Sequence, residues 1–187
     1  AAELDDAVAE YRKALDEKAF DVPQLAHAGL GDTLISAGRI EEAIAEHREA
    51  VALAPDAIEL QLGLARAYAY ARCLDDAKAA LKVAQTAAPD RADVLYTAAV
   101  IGLLVGDTAQ AEASLPRAAN APDAPARAHA ALGYYLAAHA NADGARQQLT
   151  IAADAIAADD GVGDIDLLYW AAMAQTKIGD AQEAGKL

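Results

Sequence analysis

The sequence predicts an all-helical chain assembled from repeated helix hairpins, and three observations carry that expectation. Hydrophobic residues make up 55% of the 187 residues, yet there is one Trp, one Phe and no long uninterrupted apolar run. Alanine supplies that content; it is the strongest helix former, whereas the β-branched and aromatic residues that favour strands are sparse. The second observation is a repeated frame: IEEAIAEHREAVALAPD, which begins at Ile40, returns as LDDAKAALKVAQTAAPD, which begins at Leu74. The third is a set of short turn segments, SAGRIEEA, YARCLDDA and LVGDTAQA, that divide each period into two helical halves.

The period runs the length of the chain. The alanine that follows the paired acids at Ala7, Ala43 and Ala77 recurs at Ala111, Ala145 and Ala184, in steps of 36, 34, 34, 34 and 39. The longer steps carry insertions, near Pro23 and within DDGVGD at 159–164. A second small residue follows seven later at Ala14, Ala50, Ala84, Ala118 and Ala152, with Tyr11, His47, Leu81, Leu115 and Leu149 between, so the three positions share one helical face.

The elements follow in order. LDDAVAEYRKAL at the start reads as a second helix lacking its first. Gly38 and Gly106 suit the left-handed residue that ends a helix. The acids after those turns, Glu41, Glu42, Asp75 and Asp76, fall in a first helical turn, where the macrodipole favours negative charge by about 0.3 to 1 kcal/mol each. Pro55 and Pro89 stop the second helices. Pro116, about eight residues into a second helix by the period, predicts a kink or break near Glu112 to Leu115. One hairpin cannot bury both apolar faces, so like hairpins stack, and each small residue lets its neighbour approach.

In this pattern the sequence resembles the tetratricopeptide repeat, a 34-residue helix–turn–helix unit. His27, Leu30, Gly31, Leu34, Ala43, His47, Ala50 and Pro55 stand at the signature spacing, followed by Gln61, Leu64, Ala65, Tyr68, Ala77, Leu81, Ala84 and Pro89. Leu95, Ala98, Ala99, Gly102, Ala111, Leu115 and Ala118 take those places in the next unit, with Pro122 one residue early, and then His129, Leu132, Gly133, Leu136, Ala145, Leu149 and Ala152. The signature aromatics are largely replaced by Leu, Ala or His. The resemblance implies one right-handed α-solenoid of stacked antiparallel hairpins over 1–187. Its parts are a partial repeat at 1–23, repeats at 24–57, 58–91, 92–125 and 126–164 (the last with an inserted loop at 157–164), and a partial repeat at 165–187. The ends read as those of a fragment of a longer protein, or of a chain whose ends a partner copy covers.

Charge and motifs narrow the function. Twenty-nine acids against fifteen Lys and Arg give −14, which repels phosphate backbones, so no nucleic-acid partner is expected. No stretch approaches the roughly 20 apolar residues needed to cross a bilayer, and the N-terminus lacks a signal-peptide pattern, so no membrane insertion is expected. Cys73 is alone and forms no internal disulfide. GLG at 29–31 lies inside a helix rather than after a strand, and DDGVGDID at 159–166 lacks EF-hand spacing and reads as an Asp-capped linker. His27 and His47 read as paired or partly buried imidazoles, because no Cys or acid completes a zinc set, and His129 and His139 lie too far apart on one helix to share an ion. No metal, cofactor or catalytic residue is expected, since the acids sit mostly at helix starts and loops with no nucleophile–base pair.

The resemblance implies that the first helices of successive hairpins line a concave groove. Leu62, Arg66, Tyr70, Tyr96, Val100, Leu103, Arg127, Tyr134, Tyr169 and Met173 would face it. One feature of the residues themselves agrees: ADVLYTAAVIGLLVG carries a second apolar stripe, Tyr96, Val100, Leu103 and Leu104, which either neighbouring hairpins or a ligand covers. Charges on that face nearly cancel, with Asp32, Glu59, Asp93 and Asp166 against Arg66, Arg127 and Lys177, and no Lys, Arg and Asn cluster for a peptide carboxylate is present. The expectation is a non-enzymatic scaffold that binds an apolar or amphipathic peptide segment, anchored by Tyr96, Tyr134, Tyr169 and Tyr70. Two other classes stand beside it: a regulatory or substrate-docking segment of a larger enzyme, and a protein that self-assembles as a homo-oligomer through uncapped ends.

Overall fold

The computed structural model describes residues 2–16, 21–157 and 164–184, which form ten helices. They are α1 (Ala2–Asp16), α2 (Pro23–Ser36), α3 (Ile40–Leu53), α4 (Ile58–Tyr70), α5 (Leu74–Ala87), α6 (Ala92–Val105), α7 (Thr108–Ala119), α8 (Ala126–Ala138), α9 (Ala142–Ala157) and α10 (Ile165–Ala184). No strand occurs among the described residues. The chain packs as two compact units, residues 1–89 with 103–106 and residues 90–102 with 107–187.

In the first unit each helix packs on the next, α1 through α5. Its core gathers Val8, Leu30, Leu34, Ile35, Ala43 and Ala67, with Tyr11, Leu15, Ile40 and Ile44 closing the margin. Full burial of each such Leu or Ile contributes about 1.5–3 kcal/mol. The periodic alanines do what the spacing predicts: Ala43, Ala50, Ala77 and Ala84 are fully buried. Close approach is sharpest where a ring meets a glycine. A Cβ at Gly29 would lie 2.7 Å from the Tyr11 ring, and one at Gly63, the matching position of the next hairpin, would lie 2.8 Å from the His47 ring. The His47 imidazole also presses on Gly31, where a Cβ would come within 2.7 Å, so it sits between glycines of α2 and α4.

In the second unit α8 is the hub, packing on α7, α9 and α10, while α9 also meets α10. Ala111, Ala118, Ala145 and Ala152 are buried as their first-unit counterparts are. Ala137, Ala145 and Ile178 form a small core with Leu136 and Leu149 against it.

The turn between first and second helix has one geometry throughout. Gly38 and Gly106 take left-handed backbone angles, φ 74° and 81°, and so do Arg72 and Ala140, φ 63° and 61°. These four positions recur at the spacing of the periodic alanines. After each, an N–H reaches back over the corner: Arg39 to the Leu34 carbonyl at 2.8 Å, Cys73 to Tyr68 at 2.9 Å, Asp107 to Gly102 at 2.8 Å and Asn141 to Leu136 at 2.9 Å. The helices that follow are started in two ways. α3 and α5 have no side-chain cap and carry Glu41, Glu42, Asp75 and Asp76 in the first turn, as expected. α7 has no acid there and is capped by Asp107, whose carboxylate accepts from the Gln110 N–H at 3.1 Å.

Two expectations need correction. α7 does not break at Pro116; it runs unbroken from Thr108 to Ala119, and the Pro116 carbonyl accepts the Asn120 N–H at 3.0 Å. The lost hydrogen bond and ring clash cost about 3 kcal/mol, and burial of Ser114, Leu115, Ala118 and Ala119 on either side holds the helix against that cost. Ala184, which the period places in a second helix, lies at the end of the same helix that starts at Ile165. Gly179, near which the turn would fall, lies inside that helix. The DDGVGD insertion lies outside the described residues except Asp164, whose Oδ1 accepts from the Leu167 N–H at 3.1 Å and caps α10, as an Asp-capped linker should.

Candidate ligand-binding face

The most elaborated side-chain arrangement lies in the second unit, where α6, α8 and α10 bring four of the nine aromatic residues together. Helical spacing turns Leu167, Trp170, Ala174 and Ile178 of α10 inward, and all are buried. Asp166 is buried beside them, and its Oδ2 accepts the Tyr96 hydroxyl proton at 2.9 Å. That hydroxyl in turn accepts the Trp170 indole N–H at 3.1 Å. The Arg127 guanidinium lies over the Tyr96 ring, 5.3 Å from its centroid, and pairs through Nη1 with the second carboxylate oxygen of Asp164 at 3.0 Å. One aspartate thus caps α10 and tethers it to α8.

On this base two further rings stand. Tyr134 meets Trp170 with centroids 5.2 Å apart and planes tilted by 43°, and Tyr169 meets it edge-on at 5.0 Å and 74°. These are the arrangements that ring quadrupoles favour. Tyr169 remains 53% exposed and its neighbour Leu168 52% exposed, while Tyr134 and Met173 are half-buried. Val100 of α6 is half-buried as well.

The corresponding face of the first unit is more polar. Asp32 and Arg66, at one repeat position in successive hairpins, pair at 3.3 Å, and the same carboxylate oxygen lies 3.4 Å from His47 Nε2. Partial burial pushes the Asp32 carboxyl upward, but the adjoining His47 imidazole and Arg66 guanidinium outweigh it and hold Asp32 below the ordinary carboxylate range. His47 itself is buried, with neither ring nitrogen in a formed hydrogen bond. Tyr70 and Leu25 are exposed. His27, read as a paired imidazole, meets Glu46 at 2.7 Å, and His129 meets Gln148 at the same repeat positions at 2.8 Å.

Of the ten residues placed on the groove face, Leu62 and Tyr96 are not on an exposed surface: both are core. Leu62 is covered because α4 is buried on most of its circumference. Tyr96 is covered because its hydroxyl has buried partners on α10. Arg66 and Arg127 are half-buried and paired to Asp32 and Asp164, and Leu103 is half-buried. Trp170 was missed, although it is the only Trp and sits four residues from Asp166 on the same stripe. Among the described residues no group of three or more His, Cys, Asp or Glu is placed to hold a metal ion, and no helix is long and apolar enough to cross a membrane.

Residues 34–101 match the family described as tetratricopeptide repeat. Over those residues the chain is similar to tetratricopeptide repeats. The structure extends the likeness. It resembles TTC0263, a thermophilic tetratricopeptide repeat protein of Thermus thermophilus, with a TM-score of 0.71 and 24% identity, covering 94% of this chain and 92% of that one. It also resembles YrrB, described as a tetratricopeptide repeat protein with an unusual peptide-binding site, with a TM-score of 0.53 and 20% identity over 95% of this chain and 98% of that one. A tetratricopeptide repeat protein from Parabacteroides merdae gives a TM-score of 0.58 at 15% identity, covering 99% of this chain and 73% of that one. At these identities the likeness establishes the fold, an all-α solenoid of tetratricopeptide-type hairpins. No curated protein matches the sequence.

Proposed function

We propose that this chain is a non-enzymatic interaction scaffold that binds an apolar or amphipathic segment of a partner protein. In the second unit the contact surface is Tyr134, Tyr169 and Met173 with Val100 at its edge; in the first unit Tyr70 and Leu25 flank the Arg66–Asp32 pair. The observation that carries this reading is Tyr169, a large ring left half exposed yet held edge-on against the buried Trp170. Rigid aromatic side chains with remaining surface are what dominate protein interfaces. Fixed charges near this surface, Arg127 with Asp164 and Asp166 with Tyr96, are already partnered, so the free surface offers shape and apolar area. The peptide-binding site named for YrrB supports the same use of the fold.

The test is to pan a displayed dodecapeptide library on the wild-type chain and measure recovered peptides against Tyr169→Ala. Completing the burial of Tyr169 contributes about 1–2 kcal/mol, so affinity should fall about 5- to 30-fold with little change in melting. Failure to recover any peptide, or equal binding by the variant, refutes the proposal.

A further inference from the structure

We infer that Tyr96 is a positioning residue for this binding face: its hydroxyl fixes Trp170, and through Trp170 the rings of Tyr134 and Tyr169, without touching a ligand itself. The inference rests on the binding face proposed above and assigns a role to a residue that lies beneath it. Tyr96 is wholly buried, so no ligand meets it. Its hydroxyl has one proton to give and lone pairs to receive. The proton goes to Asp166 Oδ2 at 2.9 Å, and the oxygen receives the indole N–H of Trp170 at 3.1 Å. Indole has a single donor, so that bond sets which way the ring faces. Both partners come from α10, 70 and 74 residues further along, and the hydroxyl therefore joins the first helix of the unit to the last.

Tyr134 and Tyr169 lean on the indole from two sides, at 5.2 and 5.0 Å. Rotation of the indole would shift both contacts together. A core tyrosine that served only to fill space would need no such hydroxyl, and phenylalanine would do as well. Arg127 over the ring face and the Asp166 carboxylate at the hydroxyl leave the Tyr96 side chain held from both face and tip. The ring is kept by packing; its hydroxyl aims the aromatic cluster.

Because Trp170 is the only tryptophan, its emission reports this bond directly. The experiment compares wild type, Tyr96→Phe, Asp166→Leu and Asp166→Asn by Trp170 emission, by thermal melting, and by affinity for the tightest dodecapeptide recovered in panning. Tyr96→Phe should alter the emission maximum and lower peptide affinity at least five-fold, and Asp166→Leu should act in the same direction should the first variant fold poorly. Asp166→Asn keeps an acceptor oxygen and should restore both readouts to within about two-fold of wild type. Lower melting with emission and affinity unchanged in Tyr96→Phe would make Tyr96 a filler of the core and overturn the inference. A panning experiment that recovers no peptide defeats the proposed function instead, while unchanged emission still defeats the positioning role.

Discussion

Replacing Ala140 by glycine should make the chain more stable, against the usual effect of an Ala-to-Gly change. Ala140 is held at φ 61°, in the left-handed region where the Cβ of an L-residue crowds the following carbonyl at a cost of about 1–2 kcal/mol. Glycine removes that cost but gives back about 0.5–1 kcal/mol through the freedom it adds to the unfolded chain. The net expectation is a gain of about 0.5–1 kcal/mol. For a chain of this length that raises the melting temperature by about 1–4 °C. No contact needs replacing: the corner is made by backbone bonds, from the Ala140 N–H to the Ala137 carbonyl at 3.2 Å and from Asn141 to Leu136 at 2.9 Å, and the position is exposed.

The assay is thermal unfolding followed by far-ultraviolet circular dichroism, with two controls. Ala153→Gly, at an exposed position inside α9, should lose about 0.5–1 kcal/mol. Gly38→Ala, at the matching corner of the first hairpin with φ 74°, should lose about 1 kcal/mol. If Ala140→Gly behaves like Ala153→Gly, the left-handed corner at 140 is wrong, and with it the common turn geometry.

Three further outcomes are expected. Gly63→Ala places a methyl 2.8 Å from the His47 ring and should cost about 1–3 kcal/mol of stability; most of that should vanish in a His47→Ala background, which a double-mutant cycle by urea denaturation measures. Asp32 is held below its ordinary range in the folded chain, so its contribution is full above the unfolded carboxylate value near 4 and is lost as the pH falls through the lower folded value. Asp32→Asn should therefore reduce stability near neutrality by a few tenths of a kcal/mol, since Asp32 is 55% exposed, and should flatten the acid limb of a melting-versus-pH curve. Asp164→Ala removes the α10 cap and the Arg127 pair together and should cost about 1–2 kcal/mol, read as a lowered midpoint in urea.

The hairpin stack was legible because its cause is local and repeated. Ala43, Ala77, Ala111 and Ala145 recur at one spacing because each must vanish at the same contact, and all four are buried. Gly38 and Gly106 announced their corners, but Arg72 and Ala140 occupy the same corners without the residue type that announces them. Only the period could have found them, since each stands one full period from a visible glycine. Pro116 misled as a sign of a break for the opposite reason: its local cost is real, and the helix, with Leu115 and Ala118 buried, continues through it.

The proposed binding face was legible only as a stripe, and the stripe gave no sign that Tyr96 is buried. Tyr96, Val100 and Tyr134 recur on one face of successive first helices, which is a statement about direction and says nothing about depth. Depth is decided by what arrives from elsewhere in the chain. Asp166 and Trp170 meet the Tyr96 hydroxyl across more than two hairpin lengths, and the longer step before α10 hides their register. A polar tip on a buried ring needs a partner, so the useful signal in the sequence was the later pairing of a lone Trp with an Asp four residues before it. The same logic separates Tyr96 from Tyr169. Tyr96 has its hydroxyl satisfied inside the unit and its ring covered, and Tyr169 keeps half its surface in solvent while braced by Trp170. Binding energy should therefore follow Tyr169, whereas Tyr96 should govern it only through the angle of the indole between them.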